Sequence, residues 1–218
     1  MPHDHIHDHS HGDELSPSGH PYRKDQDTAL TYWQTMEIAM RELLLEKGIV
    51  TAEEITQTIE QMDRRSPADG ARVIARAWVD PEYKARLLDN GTEAIKELGI
   101  EPGVLKLIAV ENTPQIHNVV VCTLCSCYPR NLLGLPPDWY KQRAYRSRVV
   151  KTPRAVLREF GTDLPDTVQV RVHDSTADMR YLVIPNRPKN SETHDESALA
   201  ALVTRDSMIG VTALPAVK

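Results

Sequence analysis

The spacing of apolar residues changes about halfway along the chain. In the first half, apolar positions such as Trp33, Met36 and Met40 recur at the interval of one helical face. Capping residues, prolines and a glycine mark where these helices begin and end. The pattern predicts helices over Leu30–Lys47, ended by Gly48, over Thr51–Met62, over Ser66–Val79, and onward from Asp80-Pro81.

The second half is rich in short segments that alternate apolar and polar residues, which is typical of half-buried strands. Strands are predicted over Val104–Val110, His117–Val121, Val168–Asp174 and Arg180–Ile184. Short helices are predicted over Asp138–Arg146, Pro153–Phe160 and Glu196–Val203. Helices and strands that are segregated in this way indicate an α+β fold.

Three regions follow from this organisation. Residues 1–28 form a polar tail that holds six of the nine histidines, interleaved with aspartates. Such a tail either binds a divalent metal weakly or is simply solvated. Residues 29–104 form a helical arm with many exposed charges, whose expected use is to wrap a partner, and residues 105–218 form the α+β domain.

Composition excludes several classes of function. A net charge of -5 provides no basic surface for nucleic acid. No apolar run approaches membrane-spanning length, and the polar first twenty residues do not have the pattern of a signal peptide. Free thiols without pairing partners fit a reducing cytoplasm.

All three cysteines lie in the run Cys122-Thr123-Leu124-Cys125-Ser126-Cys127, called the claw loop below. Structural zinc and iron-sulfur clusters each need a fourth protein ligand, and an odd count excludes full disulfide pairing. The three sulfurs together with the amide nitrogens of Ser126 and Cys127 would suit a trivalent, low-spin ion and leave one position open for substrate. Buried structural cysteines, or a non-catalytic zinc or iron-sulfur protein, are the alternatives.

The claw loop and its surroundings resemble the alpha subunit of nitrile hydratase. The resemblance is carried by Val119–Pro129 and Leu133–Tyr140, with further segments at Glu111–Pro114, His117-Asn118, Tyr145–Val150, Arg171–Ala177, Arg180-Tyr181 and Val203–Val211. It implies an N-terminal helical arm followed by a four-layer α-β-β-α domain that carries the claw loop.

Within that family, the resemblance assigns roles to the loop. Cys122 is expected to be an axial thiolate, Cys125 a sulfinate and Cys127 a sulfenate, while Ser126 and Cys127 add their amide nitrogens. Thr123 and Tyr128 point to one Co(III) per chain rather than iron.

The implied reaction is hydration of a nitrile to a primary amide. The attacking group is either water or the sulfenate oxygen of Cys127, with Ser126 as a second catalytic residue, and Thr123, Tyr128 and Arg130 are expected to line the substrate pocket. The expected partners are a beta subunit in an α2β2 assembly and a metallochaperone or activator protein. Two arginines of the beta subunit would hold the sulfur oxygens, so the chain alone is an incomplete catalyst.

The chain departs from the family at Arg130, where tryptophan is frequent, and at Asn131, where proline is usual. Thiocyanate hydrolase, whose catalytic subunit shares the claw motif and a His/Asp-rich start, is the alternative identification. His117 and His173 are interpreted as structural. A basic cluster is interpreted as a solvated or partner-docking face: it comprises Arg143, Arg146, Arg148 and Arg154.

Overall fold

The computed structural model describes residues 29–217, so the predicted tail over residues 1–28 lies outside the described residues. The chain forms two compact units that divide between Arg64 and Arg65. This division lies earlier than the boundary expected after residue 104.

The first unit contains two helices, α1 (Tyr32–Glu46) and α2 (Ala52–Arg64). The Thr31 side chain accepts from the Gln34 amide at the start of α1. The predicted capping box of Thr51 and Glu54 begins α2, with each side chain bonded to the backbone of the other residue. Neither helix buries a residue.

The second unit mixes helices and strands. Its helices are α3 (Pro67–Val79), α4 (Pro81–Asp89), α5 (Gly91–Ala94), α6 (Arg130–Leu133), α7 (Asp138–Lys141), α8 (Arg143–Lys151), α9 (Pro153–Glu159), α10 (Glu196–Leu202) and α11 (Arg205–Ile209), with a 3₁₀ turn at Ile95–Leu98. Its strands are β1 (Lys106–Glu111), β2 (Ile116–Val121), β3 (Gln169–Asp174) and β4 (Met179–Ile184). None of the described helices has the length and apolarity needed to cross a bilayer.

Most predicted elements are confirmed within a few residues, and the differences have local causes. The helix predicted over Asp138–Arg146 is divided, because Gln142 adopts an extended conformation between α7 and α8. A helical turn that the sequence pattern does not predict, α6, begins directly after Pro129. Helices as short as α6 and α11 leave no periodic signal in a sequence.

The strands form two parallel pairs, β1 with β4 and β2 with β3. A parallel pair needs a long crossover connection, and α6 to α9 lie in the connection between β2 and β3. In the second pair Ile116 is opposite Gln169 and Val121 is opposite Asp174. The carboxyl ends of β2 and β3 therefore meet at one edge, where the claw loop begins.

The core packs helices against strand β2, which is buried along most of its length. Helix α3 belongs to this core, since a Cβ on Gly70 would lie 2.6 Å from Leu133 Cδ2 and 2.7 Å from Met208 Sδ. Glycine at this position permits close approach to α6 and α11. Residues just beyond Arg65 are thus part of the folded domain that supports the claw loop.

Candidate metal centre

The three cysteine sulfurs lie together at the carboxyl end of β2. Their Sγ atoms are all within 4.8 Å of one another. Cys122 Sγ is 3.5 Å from Cys125 Sγ, and Cys125 Sγ is 3.3 Å from Cys127 Sγ. The sequence-predicted ligand residues are therefore brought to one place.

Exposure differs along the claw loop in a way that leaves one side open. Cys122 is 1% exposed because it directly follows the buried strand. Cys125 is exposed, Ser126 and Cys127 are partly buried, and the Leu124 side chain is 89% exposed. The cluster is thus anchored in the core at one end and accessible at the other.

Two of the thiols differ strongly in acidity. Hydrogen bonds from the Cys127 and Cys122 thiols and from backbone amides lower the pKa of Cys125 to about 7. Burial, together with the hydrogen bond to Cys125, raises the pKa of Cys127 to about 12. Near neutral pH Cys125 of the metal-free cluster is therefore partly ionised, and its thiolate accepts a hydrogen bond from the Cys127 thiol.

The start of the claw loop is held by a carboxylate from β3. The Thr123 amide donates to Asp174 Oδ1 at 2.9 Å, and the Thr123 hydroxyl donates to Asp174 Oδ2 at 2.6 Å. Cys125 N also donates to Cys122 Sγ at 3.3 Å, which closes the turn between the first two sulfurs. Two hydrogen bonds from Thr123, one from its amide and one from its hydroxyl, thus fix the start of the loop.

Donors from α7 and α8 hold two backbone carbonyls of the loop. The Tyr140 hydroxyl donates to the Cys127 carbonyl at 2.8 Å, and Arg146 Nη1 donates to the Thr123 carbonyl at 3.2 Å. Sequence reasoning missed Tyr140 and Asp174, and it assigned Arg146 to a solvated or docking face. No local spacing could have found them, because Asp174 lies 51 positions from Thr123.

The other expected pocket residues are placed differently. Tyr128 is 3% exposed and packs edge-on against Tyr140, with ring centroids 5.1 Å apart. Its hydroxyl has no hydrogen-bond partner among the described residues, and burial raises its pKa. Arg130 is exposed at the start of α6 and makes no ion pair with any described residue.

Most of the basic cluster is engaged within the chain. Arg148 forms a two-point ion pair with Glu159. Arg154 donates to backbone carbonyls of the segment before β3, including that of Leu164 at 3.0 Å. Arg143 is exposed. Arg148 and Arg154 thus organise the crossover connection rather than line the sulfur cluster.

The two histidines interpreted as structural belong to one buried polar network. His117 Nε2 is 2.7 Å from the Gly210 carbonyl, and Asn112 Nδ2 is 3.4 Å from His117 Nδ1. Asn118 accepts from His173 Nε2 at 2.8 Å. A neutral imidazole with its proton on Nε2 satisfies each contact, so these histidines act as hydrogen-bonded core residues.

Comparison with known proteins gives a consistent result. The family described as "Nitrile hydratase, alpha chain" matches residues 31–212. The cobalt-containing nitrile hydratase subunit alpha of Pseudonocardia thermophila is 50% identical over 184 residues, which cover 82% of this chain and 89% of that protein.

Two further relatives differ in the metal or the reaction that their names state. Thiocyanate hydrolase subunit gamma of Thiobacillus thioparus is 42% identical over 191 residues, covering 82% of this chain and 79% of that protein. The solved structure of a double mutant of the Fe-type nitrile hydratase from Comamonas testosteroni superposes with a TM-score of 0.79 at 41% identity, covering 87% of this chain and 93% of that chain.

Proposed function

Because the chain belongs to the nitrile hydratase alpha chain family, we propose that it is the metal-binding subunit of an enzyme that hydrates nitriles to primary amides. The observation that carries the proposal is the gathering of three thiol sulfurs within 4.8 Å of one another at an accessible edge of the fold. A soft, anionic sulfur set of this kind suits a transition metal.

The residues present fit a cobalt ion. The sulfurs of Cys122, Cys125 and Cys127 would hold it, with the backbone nitrogens of Ser126 and Cys127 as further ligands. When bound, a trivalent cation supplies Lewis acidity toward a nitrile nitrogen or a water. The preferred metal is proposed as Co(III), one per chain. Thr123 and Tyr128 are the residues that the family resemblance associates with cobalt rather than iron.

The chain's own groups define the remaining chemistry. Cys125 and Cys127 are proposed to be oxidised by dioxygen to sulfinate and sulfenate. A water, or the Cys127 oxygen that water then replaces, is proposed to add to the nitrile carbon, and the protons of that water go to the nitrile nitrogen. Ser126 is partly exposed beside the cluster and is proposed to orient the reacting groups. Thr123 and Arg130 are proposed to border the substrate. The Tyr128 ring packs in the core beneath the loop, so its contribution to the pocket is to support the loop's end.

A beta subunit is proposed to complete the site, in an α2β2 assembly in the cytoplasm that an activator protein loads with metal. The contact on this chain is proposed to include α1, whose apolar residues form one exposed stripe: Trp33, Met36, Met40 and Leu43. An exposed apolar stripe of this length indicates a surface that another chain covers. The α+β unit is proposed to have four layers, with helices outside the two strand pairs.

The test is co-expression of the full chain with its beta subunit, followed by measurement of cobalt content and amide formation from acrylonitrile. Intact mass should show the two oxidised cysteines. Zinc at full occupancy without amide product would contradict the proposal. Trp33→Ser should weaken co-purification of the beta subunit, whereas Glu37→Gln on the same helix should not.

A second candidate function, thiocyanate hydrolysis, is favoured by Arg130. This guanidinium is exposed three residues after Cys127 and has no ionic partner among the described residues, so it would attract an anionic substrate. The same preparation assayed with thiocyanate distinguishes the two. If thiocyanate is the substrate, Arg130→Trp should reduce its turnover and raise that of acrylonitrile.

A further inference from the structure

The claw loop has no regular backbone hydrogen bonding of its own. Among the described residues, no backbone-to-backbone hydrogen bond outside helices and strands involves residues 122–127. Its shape therefore depends on side chains that reach it from other elements. Thr123 and Asp174 hold its beginning, and the segment formed by α7 and α8 holds two of its carbonyls.

We propose that Tyr140 and Arg146 are positioning residues for the metal: they hold the carbonyls of Cys127 and Thr123 so that the three thiols are already gathered before metal binds. The inference rests on the metal-binding part of the proposed function and is independent of which substrate is hydrated. Groups that orient ligands in this way are a general means by which proteins increase metal affinity.

Tyr140 is suited to this role because its side chain is closely packed in the core. Its side chain is 0% exposed, and its ring packs edge-on against Tyr128 at 5.1 Å and Trp139 at 5.8 Å. The rigid ring carries its hydroxyl to the carbonyl of the last sulfur-bearing residue. Loss of that donor would leave the partly buried Cys127 carbonyl without this partner.

Arg146 acts at the other side of the loop. Its Nη1 binds the carbonyl that directly precedes the exposed Leu124, while its Nε is buried and has no partner among the described residues. The guanidinium is therefore partly desolvated next to the loop. It places a positive charge beside the loop that carries the three thiols.

Tyr145 provides a matched comparison within the same segment. Its hydroxyl donates to the Val120 carbonyl at 2.6 Å, and it is buried like that of Tyr140. Val120 lies inside β2, which the pairing with β3 already fixes. Replacing either tyrosine by phenylalanine removes one hydroxyl-to-carbonyl bond, but only Tyr140→Phe removes a bond to the claw loop.

The experiment uses the reduced, metal-free full chain and two probes. Co(II) binding is followed by the sulfur-to-cobalt charge-transfer absorption, and reaction with phenylarsine oxide, which bridges two thiols, reports sulfur proximity without metal. Tyr140→Phe and Arg146→Met should each weaken Co(II) binding and slow the arsenical reaction by about tenfold. Tyr145→Phe should leave both within about twofold of the unmodified chain, and Arg146→Lys should recover part of the loss.

Circular dichroism identifies any variant that does not fold. If Tyr140→Phe does not fold, Arg146→Met decides the question. The inference is overturned if the Tyr140 and Arg146 variants match the unmodified chain, or if Tyr145→Phe is impaired as strongly as Tyr140→Phe. Failure of the unmodified chain to bind Co(II) through its thiols would instead contradict the proposed function. In that case the reaction with phenylarsine oxide still decides whether the thiols are gathered before a metal binds.

Discussion

Thr123 and Asp174 are joined by two hydrogen bonds, from the Thr123 amide to Oδ1 at 2.9 Å and from the Thr123 hydroxyl to Oδ2 at 2.6 Å. They meet because β2 and β3 are parallel and place Val121 opposite Asp174. The chain turns away from the sheet at Cys122, and the carboxylate holds the first turn beyond it. A single side chain thus links the strand pair to the sulfur cluster.

Replacement of Asp174 by alanine should loosen the claw loop. The variant loses two hydrogen bonds to a charged acceptor at an exposed site, so the free energy of unfolding should fall by about 1 to 2 kcal/mol. Urea unfolding measures this loss, and cobalt content in the complex should fall in parallel. Asp178→Ala, at another exposed carboxylate close by, is the control. Equal midpoints for the two variants would show that the Asp174 bonds do not stabilise the loop.

Gly210 should be far less tolerant of alanine than Gly161. Both have positive φ angles, 83° and 80°, but a Cβ at Gly210 would lie 2.0 Å from the Asn118 carbonyl oxygen, whereas Gly161 has nothing within 4 Å. Gly161→Ala should cost about 1 kcal/mol from backbone strain alone. Gly210→Ala adds a backbone clash and should cost about 2 to 4 kcal/mol. Chemical denaturation compares the pair, and similar losses would contradict the assigned close approach.

The stability of the chain should fall as the pH decreases below about 6.5, the ordinary pKa of histidine. Burial lowers the pKa of His117, so the unfolded chain takes up a proton at a higher pH than the folded chain does. The contribution of neutral His117 to the free energy of unfolding is therefore complete above the pKa of the unfolded chain. It is lost as the pH falls toward the lower pKa of the folded chain. His173, whose pKa is lowered by burial and by the charge of Arg171, acts in the same direction.

Urea midpoints measured at pH 8, 6.5 and 5 test this expectation. His117→Gln removes the titrating group while keeping a donor for the Gly210 carbonyl, so its midpoint should change less between these pH values. A variant with the same pH dependence as the unmodified chain would exclude His117 as a source. Arg171→Gln, which removes the charge acting on His173, should leave the His117 contribution unchanged.

Cys125 should be the first thiol to react in the metal-free, reduced chain. Its side chain is exposed and its pKa is lowered to about 7, whereas burial raises the pKa of Cys127 to about 12. The rate of iodoacetamide labelling at Cys125 should therefore rise as the pH increases through about 7 and then level off. Peptide mass analysis at short times identifies the modified residue. Cys127→Ala removes the main hydrogen bond to the thiolate and should shift this rise to higher pH.

Predictions from the sequence succeeded where the decisive contacts are local. Helices begin at Ser66-Pro67 and Asp80-Pro81 as expected, because a capping side chain and a proline act within the first turn. The expected boundary after residue 104 differs from the structural division at Arg64–Arg65, because the burial of Val73 and Ile74 depends on helices far along the chain. Helical periodicity alone does not say what covers an apolar face.

The cysteine spacing by itself predicted that the three sulfurs share one site, since a run of six residues keeps them within about 18 Å even when it is fully extended. The fold then brings them within 4.8 Å of one another. The family likewise followed from the sequence through its motifs. Only the tertiary structure decided which side chains hold the loop, which thiol is most acidic, and which sulfur is buried. Asp174, Tyr140 and Arg146 reach the loop through the β2–β3 pairing and the packing of α7 and α8. Those contacts join distant segments, and the energies that select them arise only when the core is assembled.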